Sequence, residues 1–366
     1  MGATQRARVM FVLASGRAAP SAGSRARCHR GGDPSSRART RAPARAHCGA
    51  TRGGDNAMRR RSSSLARSST SDARDVATER NGSSSAGVEF SGLDGTEWFS
   101  RKFSESGRKF SEVFPVRYAE AGPNGEATMV TIADLIQECA CNHAQGIWGV
   151  GQSMPSEMAK GHLAWVCTRL HLRVHRYPKW GGKVNVSTWF EPMGKIAARR
   201  DYAIHDYETG EQMAEATSQW VVFNLTTRKM ARIPNSVLED FKYQALERQV
   251  MESGYTADKL PDVSEVGSAC TTPMTHYVRR NDMDMNGHVN NVVYVQWLLE
   301  SVPPETWNGR ALKEIILEYR SECNFGESVT ATCCEMDDGR GDSYVLLHKL
   351  ARGADEIVRA KTVWTN

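Results

Sequence analysis

Between Asn281 and Tyr294 the chain sets Asp284, Asn286 and His288 at alternate positions, a carboxylate, a carboxamide and an imidazole within five residues. Those groups suit acyl transfer. A carboxylate or imidazole moves a proton, and a carboxamide or imidazole donates to an oxygen that becomes negative. The cluster leads into Val289–Ser301, read as a helix stopped by Pro303-Pro304. Unpaired N–H groups and the positive dipole end at such a terminus favour a developing oxyanion. A lone Asp or Asn there would be a helix cap, and a lone His a surface residue. Three groups converging ahead of an apolar face (Val289, Val292, Val293, Trp297) favour a site instead.

Elements that position this cluster follow from the pattern around it. Phe110–Tyr118 reads as a strand, and Gly122-Pro123-Asn124-Gly125 as a tight connection. Ile132, Leu135, Ile136, Cys139, His143 and Ile147 recur at helical spacing, so 131–147 is predicted helical, with Thr131 and Asp134 as its capping box. Four strands follow at Ala164–His175, Lys183–Glu191, Ala197–Tyr207 and Met213–Asn224. A polar helix from Ser236 to Glu252 and a loop around Pro261 break the rhythm. The order then recurs: His276–Arg280 as a strand, the second helix, and strands at Leu312–Arg320, Ser328–Glu335, Ser343–Ala351 and Ile357–Trp364. A helix wrapped by an antiparallel sheet is a hot-dog unit. The expected fold is therefore α+β, a tandem hot-dog, with units at 108–232 and 270–366 joined by a linker at 233–269.

Charge divides the chain differently. Residues 1–75 hold sixteen Arg, no Lys and four acidic residues, a segment charge of +12. The whole chain carries +5, which leaves −7 for residues 76–366. An Arg-rich, Ser-rich, acid-poor leader fits an organelle transit peptide better than a nucleic-acid arm, and is set apart from the fold together with a polar extension at 76–107. Val9–Ala14 is too short to cross a bilayer, and no later run is long enough, so no transmembrane segment is expected. The nine Cys show no secreted framework, and Cys139 and Cys141 lack the spacing of a zinc clip. Buried thiols are expected, with no cofactor or metal.

The run Asp-Met-Asp-Met-Asn-Gly-His-Val-Asn-Asn-Val-Val-Tyr, followed by Trp-Leu-Leu-Glu-Ser-Val-Pro, closely resembles the active-site segment of plant acyl-acyl-carrier-protein thioesterases. Leu317–Cys323 resembles that family's second catalytic segment. Trp165–Arg169, Arg176–Gly181 and Arg199–Tyr202 resemble blocks of its N-terminal half. The likeness runs from about residue 110 to the C-terminus. It implies hydrolysis of fatty acyl thioesters on acyl carrier protein and a place in the chloroplast stroma, since Arg richness alone would suit a mitochondrion equally. It also implies that Asp284, Asn286, His288 and Glu322 are catalytic, with Cys323 the residue of an older papain-like reading. Gly287 departs from the Gln usual there.

Two mechanisms stay open at this point: Cys323 attacking as a thiolate activated by His288, or a carboxylate activating water. We favour water, with Asp284 and Glu322 as its carboxylates and His288 and Asn286 polarising the carbonyl. Neighbours on a strand face opposite sides, so Glu322 and Cys323 share a site only if the strand ends or bulges, as Asn324-Phe325-Gly326 allows. The N-terminal unit lacks an Asp-x-Asn-x-His cluster and is expected to bind the acyl chain, with Trp148, Met154 and Trp165 as pocket candidates. Lys195, Arg199, Arg200, Arg228, Lys229 and Arg232 are candidates for docking the acidic carrier. A coenzyme A thioesterase, a dehydratase of the same architecture and a non-catalytic acyl-binding protein are the competing readings, and homodimer formation stays open.

Overall fold

A computed structural model describes residues 101–251, 258–266, 270–337 and 343–366. The expected transit peptide, and the extension up to residue 100, lie outside the described residues. In chain order the elements are β1 (Arg101–Ser104), β2 (Lys109–Pro115), α1 (Met129–Trp148), α2 (Ser156–Lys160), β3 (Leu163–Val174), β4 (Lys183–Met193), β5 (Ala197–Asp206) and β6 (Gln212–Asn224). Then come β7 (Lys229–Met230), α3 (Asn235–Gln244), β8 (Met274–Tyr277), α4 (Asn291–Leu299), α5 (Pro304–Gly309), β9 (Ala311–Tyr319), β10 (Ser328–Met336), β11 (Tyr344–Arg352) and β12 (Asp355–Thr365).

All strands join one antiparallel sheet in the order β1-β2-β4-β5-β6-β3-β9-β12-β11-β10-β8, with β7 beside β6. The two halves meet where β3 pairs with β9, Leu170 opposite Leu317 and Leu172 opposite Ile315. These four are buried. The alternate residues across the seam carry opposite charge: Arg169 Nη1 bonds Glu318 Oε1 at 2.8 Å, and Glu314 takes His171 at 2.9 Å and Arg173 at 3.1 Å. One face of the seam is thus apolar and the other ionic, the period-two consequence of strand geometry. The architecture is a tandem hot-dog.

α1 packs on β2 and β4, α4 on β10 and β11, and the two helices touch. α1 buries Ile132, Leu135, Ile136 and Cys139 on one face. α4 is apolar almost all round, with Val292 to Val295 and Trp297 to Leu299 buried, as befits a helix enclosed on every side.

Several expectations change. Thr128, not Thr131, caps α1, its Oγ1 accepting from Thr131 N at 3.1 Å, while the Thr131 hydroxyl reaches the Glu120 carbonyl. β1 lies in what reads as polar extension, because a four-residue edge strand of sequence RKFS has no apolar run to announce it. α3 ends at Gln244 rather than Glu252 and buries Val237, Leu238 and Phe241 beneath β4, so it is a packed part of the first half rather than linker. Cys270 and Cys334, expected as thiols, form a disulfide across an antiparallel bridge. Their separation of 64 residues hides the pairing from any local reading.

Candidate active site

The loop ahead of α4 is shaped by its own side chains. Arg279 N donates to Asp282 Oδ2 at 2.7 Å, and Met283 and Val289 pair as a short antiparallel bridge. Inside that bridge Asp284 N donates to the His288 carbonyl at 2.8 Å, and Gly287 N to the Asp284 carbonyl at 3.1 Å. Gly287 sits at φ +79°, in the left-handed region. Glycine meets that demand without strain, and the open space beyond its missing Cβ leaves the turn geometry intact.

Asp284 is the hub. Its Oδ1 accepts from the Asn286 backbone at 2.8 Å and from His288 N at 3.4 Å, and its Oδ2 accepts from Asn286 Nδ2 at 3.0 Å. The carboxylate therefore fixes the direction of the Asn286 carboxamide. α4 begins only at Asn291, capped by Asn290, whose Oδ1 takes Val292 N at 2.9 Å while its carbonyl takes Val293 N at 3.0 Å. The N–H groups of Val292 and Val293 are spent in the cap, and the loop ahead of it adds side-chain donors.

β9 ends at Tyr319, which resolves the problem of facing. Beyond it Glu322 turns toward the loop, and its Oε2 stands 3.6 Å from His288 Nε2. Glu322 Oε2 and His288 Nδ1 are both inaccessible and have no hydrogen-bond partner. The facing atoms, Glu322 Oε2 and His288 Nε2, are too far apart for a direct hydrogen bond. Glu322 Oε1 accepts from Arg228 Nη2 at 2.9 Å, and its carbonyl accepts from Arg352 Nη1 at 3.3 Å.

Cys323 points the other way. It is 0 % exposed among core residues. Its N–H donates to the Tyr294 hydroxyl at 3.2 Å, and burial pushes its thiol up to about 11. No hydrogen bond joins it to His288 among the described residues.

The same loop exists in the first half. Arg117 N donates to Glu120 Oε2 at 2.7 Å, Ala121 pairs with Ala127, and Gly125 has φ +74°. In that copy Gly122 stands for Asp284 and Glu126 for His288; only Asn124 matches Asn286. The backbone turn recurs, and of the three groups only the carboxamide does.

Comparison with known proteins now bears on this geometry. The family described as Acyl-ACP thioesterase N-terminal domain matches residues 107–241, and its C-terminal domain counterpart matches residues 270–366. The chain belongs to the acyl-ACP thioesterase family. It is similar to oleoyl-acyl carrier protein thioesterase 1, chloroplastic, of Arabidopsis thaliana, 36% identical over 281 residues covering 71% of this chain and 77% of that protein. It is 33% identical over 272 residues to dodecanoyl-[acyl-carrier-protein] hydrolase, chloroplastic, of Cinnamomum camphora, covering 72% of this chain and 69% of that one. A solved 12:0-ACP thioesterase from Umbellularia californica superposes with TM-score 0.64 at 30% identity, covering 70% of this chain and 94% of that one.

In this thioesterase a narrow crevice of about 40 Å³ lies between α1 and α4, lined by Ile136, Ala140, Tyr202, Trp220, Val295 and Tyr319 among others. Its lining includes Cys141 on α1 and Asn291, the first residue of α4 after the loop. Cys141 feels that proximity: burial first, then charges including Asp284, raise its thiol to about 11. A second cavity beyond Trp220 holds two of the expected pocket residues, Trp148 and Trp165, together with Phe241. Met154 is buried in neither; it lines a separate cleft with Ser156 and Val237. The crevice residues escaped sequence reading because an inward helical position looks the same whether it meets core or cavity.

The expected docking cations also divide. Arg199 is 7 % exposed and bonded to Glu191 and Asp201. Arg200 bonds His143 Nδ1 at 2.9 Å and lies over the Phe190 ring. Adjacent on β5, they point to opposite faces of the sheet, Arg199 into its ion pairs with Glu191 and Asp201 and Arg200 toward His143 of α1, so neither is a free surface cation and both leave the docking set. Arg228 holds Glu322. Lys195, Lys229 and Arg232 are exposed.

Proposed function

We infer that the protein hydrolyses the thioester of fatty acyl-acyl carrier protein in the chloroplast, releasing the free fatty acid and the carrier and so ending chain synthesis. Family membership supports the reaction class. The observation that carries the assignment of residues is Glu322 Oε2, buried, without a hydrogen bond and 3.6 Å from His288 Nε2.

In this reading Glu322 accepts a proton from water as its oxygen attacks the thioester carbonyl carbon. The C–O bond forms while the carbonyl π pair moves onto oxygen, where His288 and Asn286 donate. Asp284 holds Asn286 in position and the acyl tail lies between α1 and α4. Collapse expels the pantetheine sulfur, which takes up the proton. Burial of the Cys323 thiol, which holds it in its neutral form, supports water over a cysteine nucleophile. Lys195, Lys229 and Arg232 remain proposed carrier contacts.

The test is release of free fatty acid from a panel of acyl-acyl-carrier-protein esters of graded length. Turnover by the wild type, lost in Glu322→Gln and His288→Ala with folding intact, is the expected result. Binding without turnover in the wild type would overturn it in favour of an acyl-binding protein.

A further inference from the structure

Glu322 is gripped from both halves of the molecule, and the grip from the first half belongs to no catalytic segment. Arg228 lies in the turn between β6 and β7. Asn224 Oδ1 accepts from Thr226 N at 3.0 Å and Thr227 N at 2.7 Å, and Arg228 N donates to the Asn224 carbonyl at 2.8 Å. Arg228 itself has φ +57°, a left-handed backbone costly for a side chain with a Cβ and sustained only where the surroundings impose it. Its guanidinium lies 6.0 Å from the centre of the Phe223 ring. From that platform Nη2 reaches Glu322 Oε1 at 2.9 Å.

The consequence for Glu322 is directional. Among the described residues no other donor reaches Oε1, and Arg352 holds only the backbone carbonyl. Glu322 has three rotatable side-chain bonds, and with Oε1 tied to Arg228 its other oxygen is turned to His288. Arg228 is half exposed, its side chain 49% accessible, so the bond's worth lies in direction more than in bulk electrostatic stabilisation.

We propose that Arg228 is a positioning residue for the hydrolysis: the first hot-dog unit supplies the cation that aims Glu322 at the reacting water, so the active site is complete only across the seam. This rests on the reading of Glu322 given above. A positioning role predicts a loss in turnover rather than in binding, since an angstrom of misplacement costs on the order of a hundredfold in rate.

The experiment compares Arg228→Ala, Arg228→Lys, Glu322→Gln and the double variant Arg228→Ala/Glu322→Gln, on acyl carrier protein substrate and on the same acyl group carried by pantetheine alone. Arg228→Ala is expected to lower kcat about ten- to a hundredfold on both substrates with little change in KM. Arg228→Lys should recover part of the loss, millimolar guanidinium should restore some turnover to Arg228→Ala, and the double variant should be no slower than Glu322→Gln. A raised KM confined to the carrier-borne substrate would overturn the proposal in favour of docking. A lower Tm with unchanged kcat would reduce Arg228 to a tie between halves. If Glu322→Gln keeps full turnover, the catalytic reading itself falls; if Glu322→Gln fails while Arg228→Ala does not, only this inference falls.

Discussion

Glu322 and His288 face each other across 3.6 Å, though one lies beyond the end of β9 and the other on the loop before α4. Neither element makes a site alone. Removing the carboxylate charge by Glu322→Gln should cut kcat about 10²- to 10⁴-fold, the usual scale for a lost general base, with KM changing far less. Steady-state release of fatty acid measures it.

In the proposed mechanism Asp284 acts through Asn286. Asp284→Ala removes the acceptors of Asn286 N and Nδ2, so turnover should drop about tenfold or more while Asn286→Ala added to it costs little further. A double-mutant cycle on kcat/KM checks the coupling, and full additivity would separate the two residues.

Cys323→Ala should keep turnover within about threefold of wild type, because a buried thiol raised to about 11 is not poised as a nucleophile. The variant should lose about 1 kcal/mol of stability for the small void it leaves. Loss of activity at unchanged Tm would restore the thiolate mechanism.

Filling the crevice should shorten the preferred chain. Ala140→Leu places three added carbons between α1 and α4 beside Cys141. Long-chain kcat/KM is expected to fall about tenfold or more relative to shorter chains, since one methylene in an apolar pocket is worth about 10–200-fold. A uniform decrease at all lengths would place the acyl tail elsewhere.

Acid should loosen the seam. Burial alone would raise Glu314, but its bonds with His171 and Arg173 outweigh that and hold the carboxyl down to about 2, against an ordinary value of 4.5. A folded value below the unfolded one contributes stability that is present above pH 4.5 and lost as pH falls from there toward 2. The loss is on the order of 2–3 kcal/mol. Denaturant midpoints between pH 6 and pH 3 should therefore fall less steeply in Glu314→Gln than in wild type.

Much of the fold is legible locally. The repeated strand, helix, four-strand order survives because each strand carries an apolar alternation and each helix its own stripe. β1 and the end of α3 fail because a short polar edge strand has no such run, and because a solvated polar stretch beyond Gln244 looks like continued helix. The site is legible in the Asp284-x-Asn286-x-His288 spacing, since one short loop holds all three.

The sequence by itself determined the chemical groups and the elements that carry them, because residue type, period and turn residues act over a few positions. Tertiary structure alone decided which groups meet. The end of β9 sets Glu322 toward His288 and Cys323 into the core, the seam between β3 and β9 joins the halves, and the turn after β6 brings Arg228 to Glu322. Each depends on contacts between residues far apart in the chain, whose pairing is fixed by packing and register rather than by any neighbouring residue.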